Sequence, residues 1–157
     1  ALTWLIGSLN ARGWDEIKIT SLPIILALIL SLLLARQLNL LSLGEELSMS
    51  LGNSLLRSRC IIGAVATLLT ASAVSIGGLI GFVGLIVPHF SRLLIGNDYK
   101  NILPFSALIG ALTLSTADLI ARSGPIEVPV GIVTSLLGAP IFIFILYRRS
   151  SKKIGMN

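Results

Sequence analysis

The sequence predicts an all-α membrane protein: a polytopic bundle of transmembrane helices with one short broken membrane segment and short cytoplasmic helices. Of the 157 residues, 54% are hydrophobic and 12% are charged, and the mean hydropathy is +0.94, which places the chain in the membrane class. Residues 60–91 contain no Asp, Glu, Lys or Arg, and this run is longer than the about 20 residues that one crossing needs. Glycines interrupt the run, so it should hold two segments. We expect residues 1–157 to form a single membrane domain.

Uncharged runs between charged residues predict the individual spans. The first complete span is 19–35, with Pro23 in its first turn, where a missing N–H costs little. A second span begins after Arg59 and ends at a break at Gly77 and Gly78. The remaining segments are a short one at 79–95 and longer ones at 101–121 and 128–147. A partial segment precedes them, and the chain looks like a fragment of something longer.

The distribution of Lys and Arg predicts the orientation, because cytoplasmic loops carry an excess of both. One set of alternate connections holds Arg36, Arg57, Arg59, Arg92, Lys100, Arg148, Arg149, Lys152 and Lys153, and the other holds Arg12, Lys18 and Arg122. The first set should be cytoplasmic. The C-terminus is then inside, and the loops at 10–18 and 123–127 face outside.

The cytoplasmic segment 39–57 is too polar to insert and too apolar to be a plain linker. Leu43, Leu47, Leu51 and Leu55 recur every four residues, which predicts one or two short amphipathic helices, hinged near Gly52 and Asn53. A helix lying on the membrane surface is the alternative. Two glutamates and no Lys or Arg between residues 38 and 56 disfavour an anionic membrane surface. We therefore expect a protein partner.

A long ordered set of motifs identifies a family. The set comprises Gly81-Phe82-Val83-Gly84-Leu85-Ile86-Val87-Pro88-His89, Arg92, Gly96, Asp98, Leu103-Pro104, Gly110-Ala111, Ala117-Asp118, Ala121-Arg122, Glu127, Pro129, Gly131, Thr134 and Gly138-Ala139-Pro140, with Leu43-Gly44-Glu45 and Leu51-Gly52 upstream. It closely resembles the FecCD-type permeases, the membrane subunits of ATP-driven bacterial importers for iron-siderophores, haem and cobalamin. Ordered motifs of this length are far more specific than one short pattern.

The resemblance implies a multi-pass permease in the bacterial cytoplasmic membrane, surrounded by lipid. Family members have about ten helices, so this chain would be the C-terminal half. The implied partners are a second permease subunit, identical or related, two cytoplasmic ATPase subunits and one external binding protein. The chain has no Gly-rich phosphate loop followed by Lys-Ser or Lys-Thr, so a separate subunit should hydrolyse ATP and this one should not be catalytic. We expect no cofactor, no metal site and no nucleic acid. Ferric siderophore is the default cargo, with haem or cobalamin as alternatives.

Arg122 is the strongest candidate for a site residue. It follows Asp118 by four residues, so taken alone the two predict an interfacial ion pair on one helix face. The resemblance implies instead that Arg122 receives a glutamate of the loaded binding protein, where a rim charge would orient docking. We expect Glu127 to cap the last helix rather than to meet substrate.

The resemblance also implies roles at the inner end and in the broken segment. The residues implied to contact the ATPase subunit are Leu43, Gly44, Glu45, Leu51 and Gly52. Through this contact, closure of the ATPase subunit would be coupled to the membrane spans. Gly77, Gly78, Gly81 and Gly84 either permit close helix packing or form a flexible stretch that changes shape during transport. Pro88 belongs to the same segment, and Pro140 should kink the last helix, with small residues beside it admitting a neighbour.

Two other classes of function stay open at this point. His89 and Asp118 could serve as acid and base of an intramembrane enzyme, although we expect His89 to donate to a neighbouring backbone carbonyl. An ion-driven secondary transporter is the other class, since broken helices also occur there.

Overall fold

The computed structural model describes residues 13–50, 52, 54–123 and 128–154, and these residues are helical with short connections. The helices, in chain order, are α1 (Trp14–Leu33), α2 (Ala35–Ser42), α3 (Glu45–Ser50), α4 (Leu55–Gly77), α5 (Val83–Ile95), α6 (Tyr99–Arg122) and α7 (Val130–Ile154). The described residues contain no strand. The all-α prediction is confirmed.

Three of these helices are long and apolar enough to cross a membrane. They are α1, α4 and α6, with 20, 23 and 24 residues, or about 30 Å and more at 1.5 Å per residue. Helix α5 has 13 residues and is about 20 Å long, so it cannot cross the hydrocarbon core alone. The stretch 130–143 of α7 is also apolar. The short segment after the break is therefore confirmed.

Helices α1 and α4 begin before the uncharged runs from which the spans were predicted. Helix α1 begins at Trp14 and holds Asp15, Glu16 and Lys18 in its exposed first turns, and α4 begins before Arg57 and Arg59. Charged side chains are good helix formers once they lie outside the hydrocarbon region. Both helices therefore begin earlier than the predicted spans at 19–35 and after Arg59, whereas α1 ends at Leu33, before the predicted end at residue 35.

The helices form two packed groups. Helices α1 and α4 lie against each other, with α2 and α3 at one end of the pair, and α5, α6 and α7 pack together. Helix α6 connects the groups by contacting α1 and α2. A small core of Ala117, Ala121 and Val130 lies between α6 and α7. Most large apolar side chains of α1 are exposed, as expected of surfaces that meet lipid or another membrane helix.

The break between α4 and α5 covers residues 78–82 and needs unusual backbone angles at both ends. Gly78 has φ of +68° and Phe82 has φ of +66°. Such angles are uncommon for residues other than glycine, and for a bulky side chain they are a true exception. The sequence correctly placed the break at Gly77 and Gly78 but gave no sign that Phe82 closes it.

The segment 39–57 is hinged at one more place than predicted. Helix α2 ends at Ser42, Leu43 caps it, and Gly44 turns the chain with φ of +105° before α3 begins. Gly52 follows α3 with φ of +80°, as the predicted hinge requires, whereas Asn53 lies outside the described residues. The leucine spacing suggested helix across residue 44, but the left-handed angle that glycine permits interrupts it.

Candidate functional site

The end of the bundle where α6 finishes carries the predicted ion pair. The Nε of Arg122 lies 2.9 Å from a carboxylate oxygen of Asp118, one helical turn earlier in α6. The Arg122 side chain is 49% exposed and that of Asp118 is 25% exposed. A cation in the last turn also faces the negative end of the helix dipole. Arg122 is therefore held in place by Asp118 yet still half exposed at the surface of the bundle.

Val128, just before α7, lies beside the last turn of α6. The backbone N–H of Val128 donates to the carbonyl of Ala121, so the approach to α7 begins beside the last turn of α6. Glu127, the predicted cap of the last helix, lies outside the described residues.

The broken segment packs directly on α7. A Cβ placed on Gly138 would lie 2.4 Å from Cβ of Phe82 and 2.9 Å from its Cγ, so only glycine fits there. The Phe82 ring meets Phe142 edge to face, with centroids 6.1 Å apart. A Cβ on Gly81 would lie 3.3 Å from Oγ of Ser135. The break is thus fixed by three contacts along one face of α7.

The glycines and prolines singled out in the sequence differ in their surroundings. Gly78 adopts a backbone angle that favours glycine, and Gly81 makes a close approach. Gly84 lies in α5, and a Cβ at this position would meet nothing within 4 Å. Pro88 lies inside α5, and Pro140 lies inside α7, where it lines an open groove with Leu79 and Ser135. Gly138, which the sequence indicated only as a small residue beside Pro140, proves to be the tightest contact.

A cavity of about 290 Å³ lies between α5, α6 and α7. Its walls are apolar except for three threonines, and each of their hydroxyls donates to a carbonyl of its own helix. The lining residues are Phe82, Val83, Ile86, Val87, Phe90, Ile109, Thr113, Thr116, Ala117, Ile120, Thr134, Leu137, Gly138 and Ile141. Phe82 and Gly138 thus join the broken segment to the cavity wall.

The opposite end of the bundle carries the short helix α3 between the glycine turns at 44 and 52. Leu43, Leu47 and Met49 are each more than half exposed around it. Glu45 at its start pairs with Arg59 in the first turns of α4. Both side chains of that pair are largely exposed, so the pair positions α3 more than it stabilises the fold. Leu51, one of the predicted coupling residues, lies outside the described residues.

The same end contains a polar contact that sequence reasoning missed. The side-chain amide of Asn39 in α2 donates to Oδ1 of Asp98 at 2.7 Å, and its carbonyl oxygen accepts the backbone N–H of Tyr99 at 2.9 Å. Because the N–H of Tyr99 can only donate, it fixes which amide atom of Asn39 faces it. Asp98 Oδ1 also accepts the N–H of Lys100, capping α6. These contacts, named here the α2–α6 bridge, consist of Asn39, Asp98 and Tyr99.

The α2–α6 bridge favours the charged form of Asp98. The hydrogen bond from Asn39 is the largest cause, followed by that from the N–H of Lys100, and together they hold the pKa of the Asp98 carboxyl below its ordinary value. Beside the bridge, the Arg92 guanidinium donates to the Tyr99 hydroxyl at 2.7 Å and lies 5.4 Å from the centroid of its ring. Arg92 therefore joins α5 to the same cap.

His89 and Asp118 are far apart along the bundle. Helices α5 and α6 run antiparallel, and the Ser106 hydroxyl donates to that of the buried Ser91 at 2.9 Å, which fixes their register. In that register His89 lies about ten residues, or about 15 Å along the axis, from Asp118. Among the described residues no hydrogen bond of His89 is present, so its expected bond to a backbone carbonyl stays a prediction. The residues needed for an intramembrane acid and base are not brought together.

No three His, Cys, Asp or Glu side chains among the described residues lie close enough to hold a metal ion. Cys60 is a free, exposed thiol.

Comparison with known proteins gives one consistent answer. The uncharacterized ABC transporter permease protein YvrB of Bacillus subtilis is 47% identical over 148 residues, which cover 93% of this chain and 42% of that protein. The cobalamin import system permease protein BtuC of Halobacterium salinarum is 42% identical over 154 residues, 98% of this chain and 42% of that one. The hemin transport system permease protein HmuU of Yersinia pestis is 42% identical over 154 residues, 97% of this chain and 46% of that one.

A solved ABC transporter of metal-chelate type, in an inward-facing conformation, superposes with a TM-score of 0.84 at 38% identity and covers 94% of this chain and 48% of that one. The chain thus spans less than half the length of these relatives. The model of the FecCD transport family matches residues 1–148. This chain belongs to the FecCD transport family.

Proposed function

We propose that this chain forms part of the permease of an ATP-binding-cassette importer, which moves an iron chelate across the bacterial cytoplasmic membrane. The observation that carries the proposal is the match in fold, a TM-score of 0.84 over 94% of the chain, to a solved ABC transporter of metal-chelate type. Residues 1–157 act as one permease domain, and residues 39–57 within it are the coupling segment. The permease is not catalytic. ATP is hydrolysed by separate subunits.

The charge distribution supports an orientation with α3 in the cytoplasm. Among the described residues, the end that carries α3 holds Arg36, Arg57, Arg59, Arg92 and Lys100, whereas the opposite end holds Lys18 and Arg122. This excess matches the positive-inside rule. The orientation places the C-terminus of the chain inside and Arg122 outside.

The coupling segment is proposed to dock into a groove of the cytoplasmic ATPase. Helix α3 stands between the turns at Gly44 and Gly52. Leu47 and Met49 within it and Leu43 just before it offer exposed apolar surface. An apolar face on a short helix suits helix-in-groove recognition. The pair between Glu45 and Arg59 transmits a displacement of α3 to the start of α4. Two ATPase subunits would serve the two permease subunits of the assembly.

Arg122 is proposed as a docking residue for the external binding protein. Its side chain is half exposed at the outer end, and Asp118 fixes its direction. A carboxylate on the binding protein would find a charge that is already ordered, so less side-chain entropy is lost on binding. Electrostatic steering of this kind speeds association.

The proposed movement during transport involves the broken segment. Gly77, Gly78, Gly81, Gly84 and Pro88 lie in or beside the break, and Pro140 lies in the facing helix. The contact of Phe82 with Gly138 ties the break to α7, so a shift of α7 displaces the break. Irregular backbone of this kind recurs where transport pathways cross membranes.

Ferric siderophore is the proposed cargo. Relatives in Bacillus subtilis and Escherichia coli carry the names probable siderophore transport system permease protein YfhA and Fe(3+) dicitrate transport system permease protein FecD, at 39% and 44% identity. Haem and cobalamin, named for other relatives, are the competing outcomes of the test.

The test is uptake of labelled ferric siderophore, haem and cobalamin by the full-length permease, assembled with its ATPase subunits and each cognate binding protein. One cargo should accumulate, and Arg122→Glu should lower its uptake sharply. Lys18→Glu is the matched control, since it reverses an exposed positive charge at the same end, on α1. An equal loss in both variants would assign docking to the overall charge of the outer end. Uptake unchanged by Arg122→Glu would return that residue to a structural role.

A further inference from the structure

The two groups of helices meet at few places, and Asn39 occupies one of them. Helix α6 contacts α1 and α2 across the boundary between the groups. Both hydrogen bonds of the Asn39 side chain cross this boundary, joining residues 59 and 60 positions apart in the chain. Asn39 is also the first residue of the coupling segment, one turn before Leu43 and Gly44.

The α2–α6 bridge uses both functions of one amide. The amide N–H of Asn39 binds a carboxylate, and its oxygen binds a main-chain N–H in the first turn of α6. Hydrogen bonds to an ionised group are about twice as strong as neutral ones. Arg92 then connects Tyr99 to the last turn of α5. A displacement of α2 is therefore passed to the beginning of α6 and the end of α5 together.

We propose that Asn39 is a positioning residue through which the coupling segment moves α5 and α6, and hence that the α2–α6 bridge sets how much cargo is imported per ATP hydrolysed. This inference rests on the proposed function. The alternative path, through Glu45 and Arg59, reaches only α4 in the first group. Without the bridge, ATP would still be hydrolysed. The movement of the coupling segment would be transmitted less well to the group of helices that holds the broken segment.

The amide and the carboxylate can be exchanged to test the bridge. Asn39→Asp places two carboxylates in contact, and Asp98→Asn removes the charge. In the double variant Asn39→Asp with Asp98→Asn, the aspartate at 39 still accepts from the N–H of Tyr99 and now also accepts from the amide at 98. In the wild type Oδ1 of Asp98 accepts from both Asn39 and the N–H of Lys100, so an amide nitrogen in that position gives up the bond to Lys100. The two hydrogen bonds between α2 and α6 are thereby restored, with the direction across 39 and 98 reversed, and only the side-chain cap of α6 is lost.

The measurement is the ratio of cargo imported to ATP hydrolysed, for the full-length permease with its ATPase subunits and binding protein in proteoliposomes. We expect Asn39→Asp to lower the ratio about tenfold, as for the loss of one charge-assisted hydrogen bond, and the double variant to recover it. If the permease with Asn39→Asp fails to assemble, Asn39→Ser is measured instead. The serine side chain cannot reach both Asp98 and Tyr99, so the same fall in the ratio is expected.

Two results would overturn the proposal: single variants that keep the wild-type ratio, or a double variant with the ratio of the single variants. Absence of ATP-driven uptake in the wild type would instead refute the proposed function itself. The two failures are therefore distinguishable.

Discussion

Phe82 and Gly138 fit together so closely that neither position accepts an ordinary residue. Phe82 holds a left-handed backbone angle, and its Cβ occupies the space that a side chain at 138 would need. The ring then reaches Phe142 one turn further along α7. The broken segment is thus anchored to α7 at a defined place rather than being free to move by itself.

Replacing Gly138 should therefore destabilise the protein more than replacing another helical glycine. Gly138→Ala forces the Phe82 side chain to shift, and overpacking of this kind costs about 1–3 kcal/mol. Thermal unfolding of the purified full-length permease measures the change. Gly110→Ala is the matched control, because nothing lies within 4 Å of a Cβ at 110 and alanine favours helix over glycine by about 1 kcal/mol. Equal effects of the two substitutions would contradict the tight contact.

Gly78 should respond to substitution through its backbone. Its φ of 68° and ψ of −159° lie in a region that is essentially restricted to glycine, so Gly78→Ala should cost about 1–3 kcal/mol of stability. Gly84→Ala in α5 serves as the control, since the position is helical and open. Matching unfolding temperatures for the two variants would show that the strained angle at 78 does not matter to the folded state.

Much of the fold could be predicted from the sequence because its strongest signals are local. Apolar runs gave the spans, and consecutive glycines gave the break at 77 and 78. Helix α2, which continues to Ser42, was missed because the apolar run that predicted the first span ends at Arg36. The turn at Gly44 was missed since one glycine within a leucine repeat is a weak signal.

The candidate site was harder to predict because its contacts join distant parts of the chain. The pair of Asp118 and Arg122 could be read from a spacing of four, and the structure places them in contact. Asn39 and Asp98 are 59 residues apart, and no spacing rule links them. The left-handed angle of Phe82 could not be foreseen from a residue type that rarely adopts it.

The ion pair of Arg122 should contribute little to folding. A partly exposed pair is worth about 0–1 kcal/mol, so Arg122→Gln should lower the free energy of unfolding by less than about 1 kcal/mol. The same variant should weaken binding of the loaded external protein, measured with the full-length permease by surface plasmon resonance. A large loss of stability with unchanged binding would make Arg122 a structural residue.

The α2–α6 bridge should be visible in the pH dependence of stability. The pKa of Asp98 is lowered in the folded protein, first by Asn39 and then by the N–H of Lys100. Its contribution to stability is present above the ordinary aspartate pKa of about 3.9 and is lost as the pH falls through the lower folded value. Unfolding temperatures recorded from about pH 6 down to about pH 3 should fall less steeply in Asp98→Asn than in the wild type. Parallel curves would show that the charge of Asp98 is not favoured by folding.

The energy source of transport tests the central proposal most directly. Proteoliposomes would contain the full-length permease and its ATPase subunits, with the loaded binding protein and labelled ferric siderophore supplied at the outer face. The account predicts accumulation that requires ATP and persists when proton and sodium gradients are collapsed by ionophores. Accumulation that proceeds without the ATPase subunits and stops with the gradients would contradict it.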